Sequence, residues 1–219
     1  MNTLHHPKIQ MTILNYIRSA VFLLLIVIYA QGSNAQTFVE GQHYTIVQAN
    51  AANPASKGES PSVVEYFSFA CPGCYAMEPS IVTLEKVVPD LSLRRVHMPF
   101  GGANAKYAQK VFVLMQLLDA QQYKDAIFRR IHVARNSFNS DKEIIEFYTE
   151  LGFESNKVQS LLKSFSADGM IRKMNKDAVK YKVKSVPTII VNDKYQVNLG
   201  ALPQSNSLIG IVNYLHTLP

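Results

Sequence analysis

Cys71 and Cys74 are the only two cysteines in the 219-residue sequence, and they stand in the order Cys71-Pro72-Gly73-Cys74. Two thiols at this spacing can pass between dithiol and disulfide, so the chemistry they offer is redox exchange. The preceding run Val63-Val64-Glu65-Tyr66-Phe67-Ser68-Phe69 is β-branched and aromatic and predicts a buried strand. Immediately after it the residues predict a helix start, with Cys71 near the N-cap, Pro72 at the first helical position and Cys74 inside the first turn. A thiol at a helix N-terminus meets unpaired N–H groups and the positive end of the helix dipole, which both favour thiolate over thiol.

The rest of the chain must place that pair. Hydrophobic residues make up 47% and charged residues 17%, which suits a globular core and excludes extended disorder. Lys8 and Arg18 precede the uncharged run Ala20–Ala30, and Gln31-Gly32-Ser33-Asn34-Ala35 carries small residues where an A-x-A-like site needs them. This predicts a secretory signal peptide over 1–35, with Met1 or Met11 as the start. An uncleaved anchor is disfavoured, because the run is well short of the roughly 20 residues that span a bilayer. Without residues 1–35 the formal charge falls from +6 to +4, since Lys8 and Arg18 are lost and no acid is. No long basic block lies behind this charge, so nucleic acid is not an expected partner. Export implies an oxidising compartment. A disulfide closing so small a loop stabilises little, so chemistry explains the pair better than stapling.

Along the chain, His43–Val47 predicts a short strand and Asn53–Pro61 a loop. After the C-x-x-C, a helix should bury Ile81, Leu84 and Val88 and bend at Pro79; Leu91–Met98 is the next strand. Tyr107–Leu118, Gln122–Arg135, Ser140–Leu151 and Ser155–Phe165 are helical patterns with no strand between them, and Ser140-Asp141-Lys142-Glu143 is a capping box. Ala167–Tyr181 predicts a further helix, Val186–Val191 and Tyr195–Asn198 a strand pair, and Ser205–Leu218 a closing helix. The expected fold class is therefore α/β, a sheet flanked by helices and interrupted by an all-helical insertion. The expected divisions are 36–102 and 167–219 for the sheet domain and 103–166 for the insertion. C-x-x-C between a strand and a helix is the context of a thioredoxin-like redox motif.

Three segments extend this reading to a family. Phe38-Val39-Glu40-Gly41-x-x-Tyr44-Thr45, Val64-Glu65-Tyr66-Phe67-Ser68-Phe69-x-Cys71-Pro72-x-Cys74-Tyr75 and Val186-Pro187-x-x-x-Val191-Asn192-x-Lys194-Tyr195-Gln196 resemble the DsbA family, periplasmic thiol:disulfide oxidoreductases of Gram-negative bacteria. The resemblance implies a thioredoxin-like fold with an inserted helical domain. It also implies a cis peptide at Val186–Pro187 beside the cysteines, with the Val186 backbone free to pair with an extended substrate. Glu65, an acid in an apolar strand, becomes a proton acceptor for Cys74; otherwise it is a sheet-edge acid paired with Arg94 or Arg95. Glu78 also matches a family acid, although a solvated helix face accounts for it better.

The implied cycle runs through a mixed disulfide on Cys71, the exposed nucleophile, with Cys74 pointing inward. The partners it implies are exported proteins with free cysteines and a membrane DsbB-like reoxidase, and the enzyme would be a monomeric periplasmic oxidase. No metal or organic cofactor is expected, since His43, His97, His132 and His216 are scattered. Gly73 departs from the best-known members, which carry His there; Gly removes a group that stabilises thiolate, so a weaker oxidant is expected. The alternatives are a reductase or isomerase on the same fold, and a peptide-binding chaperone whose disulfide is incidental.

Overall fold

The computed structural model describes residues 38–47, 61–202 and 207–218. The expected signal peptide and most of the loop expected at Asn53–Pro61 lie outside these residues. The strands are β1 (Tyr44–Ile46), β2 (Ser62–Phe67), β3 (Ser92–His97), β4 (Thr188–Val191) and β5 (Tyr195–Val197). They form one sheet in the order β1-β5-β4-β2-β3. β2 runs parallel to β3 and antiparallel to β4, so it is an interior strand, and Val63 to Phe67 are all buried. Burial on both faces is why its sequence is almost continuously apolar rather than alternating. Glu65 stands out against that background.

The parallel β2–β3 pair requires a crossover, and α1 (Pro72–Val87) supplies it. Cys74, Glu78, Ile81 and Leu84 are its buried residues, at spacings of three and four that make one stripe. Pro79 is accommodated inside this helix without ending it. Between β3 and β4 run α2 (Ala105–Leu117), α3 (Lys124–His132), α4 (Asp141–Glu150), α5 (Ser155–Leu162) and α6 (Phe165–Lys180). The chain closes with α7 (Ser207–Thr217).

The expected helix Gln122–Arg135 is split. A 3-10 turn covers Gln121–Tyr123, and α3 stops at His132 because Arg135 adopts a left-handed φ of 54°. Ala134 N–H then bonds the Arg129 carbonyl at 3.0 Å and Asn136 N–H the Arg130 carbonyl at 3.0 Å, satisfying the last turn. The capping box at Ser140 forms on one side, with Ser140 Oγ accepting the Glu143 N–H at 3.2 Å. Glu143 reaches back to the N–H of Asn139, one residue before the cap, at 3.0 Å.

Two apolar clusters hold the layers together. One packs Val63, Ile189 and Val191 against α1 and α7 through Ile81, Leu84, Ile211 and Leu215. The other joins Val64, Tyr66, Phe69 and Cys74 to Phe112, Phe128, Tyr148 and Met174 of the helices between β3 and β4. These helices therefore share their core with the strand that leads to the cysteines. Phe69 meets Phe128 edge to face at 4.9 Å, and Phe67 meets Phe112 at 5.3 Å. Pairs of this kind contribute about 0.5–1.5 kcal/mol each beyond the area they bury.

Candidate active site

Past Phe67 the chain leaves β2 in a short turn that its own polar groups close. Ser68 Oγ donates to the Phe100 carbonyl at 2.6 Å and accepts the Ala70 N–H at 3.2 Å; the Cys71 N–H bonds the Ser68 carbonyl at 3.0 Å. Gly101 lies against this turn with φ of +113°, and a Cβ built on it would sit 2.8 Å from Ala70 Cβ and 2.9 Å from the Ala70 carbonyl oxygen. Only glycine fits that contact. Gly101→Ala is therefore expected to lose about 2–4 kcal/mol in urea denaturation, through forced φ and displacement of the turn. Gly169→Ala, inside α6 with nothing within 4 Å, is the matched control and should gain up to about 1 kcal/mol.

The turn delivers Cys71 to the N-cap of α1. Its Sγ accepts the Cys74 N–H at 3.4 Å, and the thiol donates to the Val186 carbonyl at 3.5 Å. Val186–Pro187 is a cis peptide, as the family resemblance implied. Gly73 faces the same place, since a Cβ there would lie 3.4 Å from Pro187 Cδ and 3.8 Å from Cys71 Sγ. Residues 71, 73, 186 and 187, about 115 positions apart in sequence, thus meet around one half-exposed sulfur. Pro72 opens the helix as expected. Cys74 is fully buried, and burial pushes its thiol well above the ordinary range, against a lowering contribution from the Ser68 backbone. The two thiols are thus unequal by position: one is open to a partner, the other is not.

Glu65 is fully buried, and its charge is felt at Cys74. It is not a sheet-edge acid. In the β2–β3 register it stands opposite Arg95, whose Nε is 3.1 Å from Glu65 Oε2. Arg95 directs its two terminal nitrogens elsewhere, to Glu78 at 2.9 and 3.2 Å, while Lys124 of α3 also pairs with Glu78. Neither Glu65 oxygen accepts a hydrogen bond among the described residues. Desolvation therefore outweighs the Arg95 charge, and the Glu65 carboxyl is pushed up to about 7. Glu78 departs from the solvated helix face considered for it, because it is 9% exposed and doubly paired. Arg94 pairs with Asp177 instead, at 2.7 Å.

Two histidines that look scattered in the sequence converge on Phe69, two residues before Cys71. The Phe69 N–H bonds His97 Nε2 at 2.9 Å, so that nitrogen is an acceptor and the ring is neutral. Complete burial enforces this by lowering the His97 pKa to about 3. His132 Nε2 lies 2.8 Å from the Phe69 carbonyl. Val96 and His97 fall at the buried end of β3, but nothing local in the sequence links them to Phe69. Among the described residues no group of three or more His, Cys, Asp or Glu side chains is arranged to hold a metal. The redox-active element is the cysteine pair.

The comparisons agree with this geometry. The family model described as DSBA-like thioredoxin domain matches residues 62–208. The thiol:disulfide interchange protein DsbA of Pseudomonas aeruginosa is 29% identical over 189 residues, covering 86% of this chain and 89% of that protein. Its counterpart in Azotobacter vinelandii is 30% identical over 163 residues, covering 74% and 76%. The crystal structure of Pseudomonas aeruginosa DsbA superposes with a TM-score of 0.70 at 28% identity, covering 84% of this chain and 95% of that one. The sheet with its helical insertion is thus the thioredoxin-like architecture of those structures, and the Cys71–Cys74 pair supports dithiol–disulfide exchange as the activity. The matched model spans the strand, the turn, both cysteines and the cis-proline strand, and on that evidence the chain belongs to the DSBA-like thioredoxin domain family of thiol:disulfide oxidoreductases.

Proposed function

We propose that this oxidoreductase works as an oxidase that donates the Cys71–Cys74 disulfide to exported proteins. The observation that carries the reading is the placement of Cys71 Sγ, half-exposed at a helix N-cap and bonded by the Cys74 N–H, with a buried acid whose charge reaches Cys74. A substrate thiolate attacks Cys71 Sγ, the Cys71–Cys74 bond breaks, and Cys74 leaves as thiolate to take up a proton. A second substrate thiolate then attacks the substrate sulfur of the mixed disulfide and expels Cys71. Two electrons pass to the enzyme, which ends as a dithiol, while the substrate gains a disulfide. The helix terminus stabilises Cys71 as it leaves. Glu65 accepts and returns the Cys74 proton, and the Val186 backbone, whose carbonyl already faces the sulfur, borders the site where an extended substrate lies. Pro187 closes the site against Gly73.

The resemblance to DsbA proteins supports a secreted or periplasmic location, and a catalytic cycle of this kind requires a reoxidising partner. We assign these roles to the periplasm, reached through the signal peptide over 1–35, and to a membrane reoxidase similar to DsbB. We also read the enzyme as a monomer whose sheet domain (36–102 and 167–219) frames the helical insertion (103–166). The test is equilibration with glutathione, in which enzyme disulfide and two reduced glutathiones exchange with enzyme dithiol and oxidised glutathione. An oxidase lies toward enzyme dithiol, whereas a position as reducing as a dedicated reductase overturns the assignment. Gly73→His should move the constant about tenfold further toward dithiol, because the site has room for a Cβ and the ring adds a charge-assisted hydrogen bond beside Sγ. An unchanged constant would remove Gly73 as a determinant of oxidising strength.

A further inference from the structure

His132 is the last residue of α3, in the helical insertion, yet it touches the chain on both sides of the C-x-x-C. Its Nε2 is 2.8 Å from the Phe69 carbonyl, two residues before Cys71. A carbonyl only accepts, so Nε2 carries the hydrogen and donates. Its ring lies parallel to Tyr75, the residue after Cys74, with centroids 5.0 Å apart and planes 6° from parallel. Phe128, one turn earlier on α3, packs against both rings at 5.6 and 6.1 Å. The Phe69 N–H is meanwhile taken by His97 of β3. The peptide groups leading into the cysteine turn are therefore gripped from the sheet and from the insertion at once.

We infer that His132 is a positioning residue for disulfide exchange: it holds the Phe69–Cys71 turn and the first turn of α1 in the geometry that puts Cys71 Sγ on the helix N-cap. This rests on the oxidase reading and extends it to a histidine of the insertion. The physical reason is a difference between redox states. In the disulfide, a covalent bond already ties residue 71 to residue 74. In the dithiol, the N-cap geometry rests on non-covalent contacts alone, the His132 bond and the Tyr75 stack among them. Contacts that matter more to one state than the other displace the equilibrium between them toward that state.

The experiment compares His132→Phe, His132→Gln and wild type in glutathione buffers, together with thermal unfolding of each protein fully oxidised and fully reduced. His132→Phe keeps an aromatic face for Tyr75 but removes the donor. Its constant should move toward enzyme disulfide by about three- to tenfold, the range an ordinary hydrogen bond spans. Its reduced form should lose more stability than its oxidised form. His132→Gln, which can still donate to the Phe69 carbonyl, should recover at least half of that shift on a logarithmic scale. A constant within twofold of wild type for His132→Phe, or equal losses of stability in both redox forms, overturns the proposal and leaves His132 a packing residue. The shift is read relative to wild type, so it is independent of whether wild type itself proves oxidising or reducing; that absolute position tests the oxidase reading.

Discussion

Cys74→Ser should be captured by a disulfide-bearing peptide as a one-to-one mixed disulfide, while Cys71→Ser stays unlabelled under the same conditions. The contrast arises from position. Cys71 is half-exposed at the N-cap and its sulfur already takes a backbone N–H, whereas Cys74 is 0% exposed within the core. Burial pushes the Cys74 thiol well above the ordinary cysteine range, so its thiolate is scarce at neutral pH and an incoming disulfide cannot reach it in line. Together these should separate the two labelling rates by at least on the order of a hundredfold. Mass spectrometry of each variant after a timed exposure reads the result directly. Both variants should fail to oxidise a reduced, unfolded protein, because neither can hold the internal disulfide. Equal labelling of the two would mean that Cys74 opens to solvent in the dithiol state, and the division of roles would fall. A chaperone with an incidental disulfide would keep its activity in both variants.

Glu65→Gln should change both the pH dependence of stability and the handling of the Cys74 proton. The carboxyl moves from an ordinary 4.5 to about 7 on folding, because burial penalises its charged form more than Arg95 supports it. The pKa is raised, so the contribution is full below about 4.5 and is lost as pH climbs through about 7. Across that window the reduced protein should lose about 3 kcal/mol from this group. Glu65→Gln removes the titration, so its urea midpoints should vary less between pH 5 and 8 and exceed those of wild type at the upper end. Parallel curves for the two proteins would show that Glu65 titrates normally in the fold. In catalysis, a carboxyl near 7 can take the proton that buried Cys74 must release before it attacks a mixed disulfide. Losing that base should slow ring closure from the Cys71 mixed disulfide on the order of 100-fold, with little effect on the step that forms that mixed disulfide when reduced Cys71 attacks a peptide disulfide. Quenched-flow resolution of the two steps separates this from a general loss of structure.

The site is legible in the sequence to the extent that its chemistry is local. An apolar strand running into Cys-Pro-Gly-Cys specifies a helix start, and N-cap geometry depends on a few adjacent residues; Cys71 accordingly sits at the cap with Pro72 behind it. The same locality makes the strands and most helices readable to within a few residues, while α3 ends early because Arg135 takes a left-handed φ that no proline or glycine announces. The helical insertion is visible as a run without strand signal, though not that its aromatic side chains complete the core beneath the cysteines.

The order of residues along the chain therefore carries a redox pair with unequal cysteines on an α/β scaffold. How protons and backbone groups are managed around that pair depends on the folded neighbours. Whether Glu65 is a paired sheet-edge acid or a buried acid with a raised pKa turns on which side chains desolvate it and where Arg95 points its fork, and Arg95 gives that fork to Glu78. Likewise His97 and His132 act on Phe69 from 28 and 63 residues away, distances over which no spacing rule operates. Capping is a short-range interaction written in neighbouring residues; desolvation and the grip on the Phe69 peptide groups belong to the packed interior, and exist only once the sheet and the insertion have closed around Cys71 and Cys74.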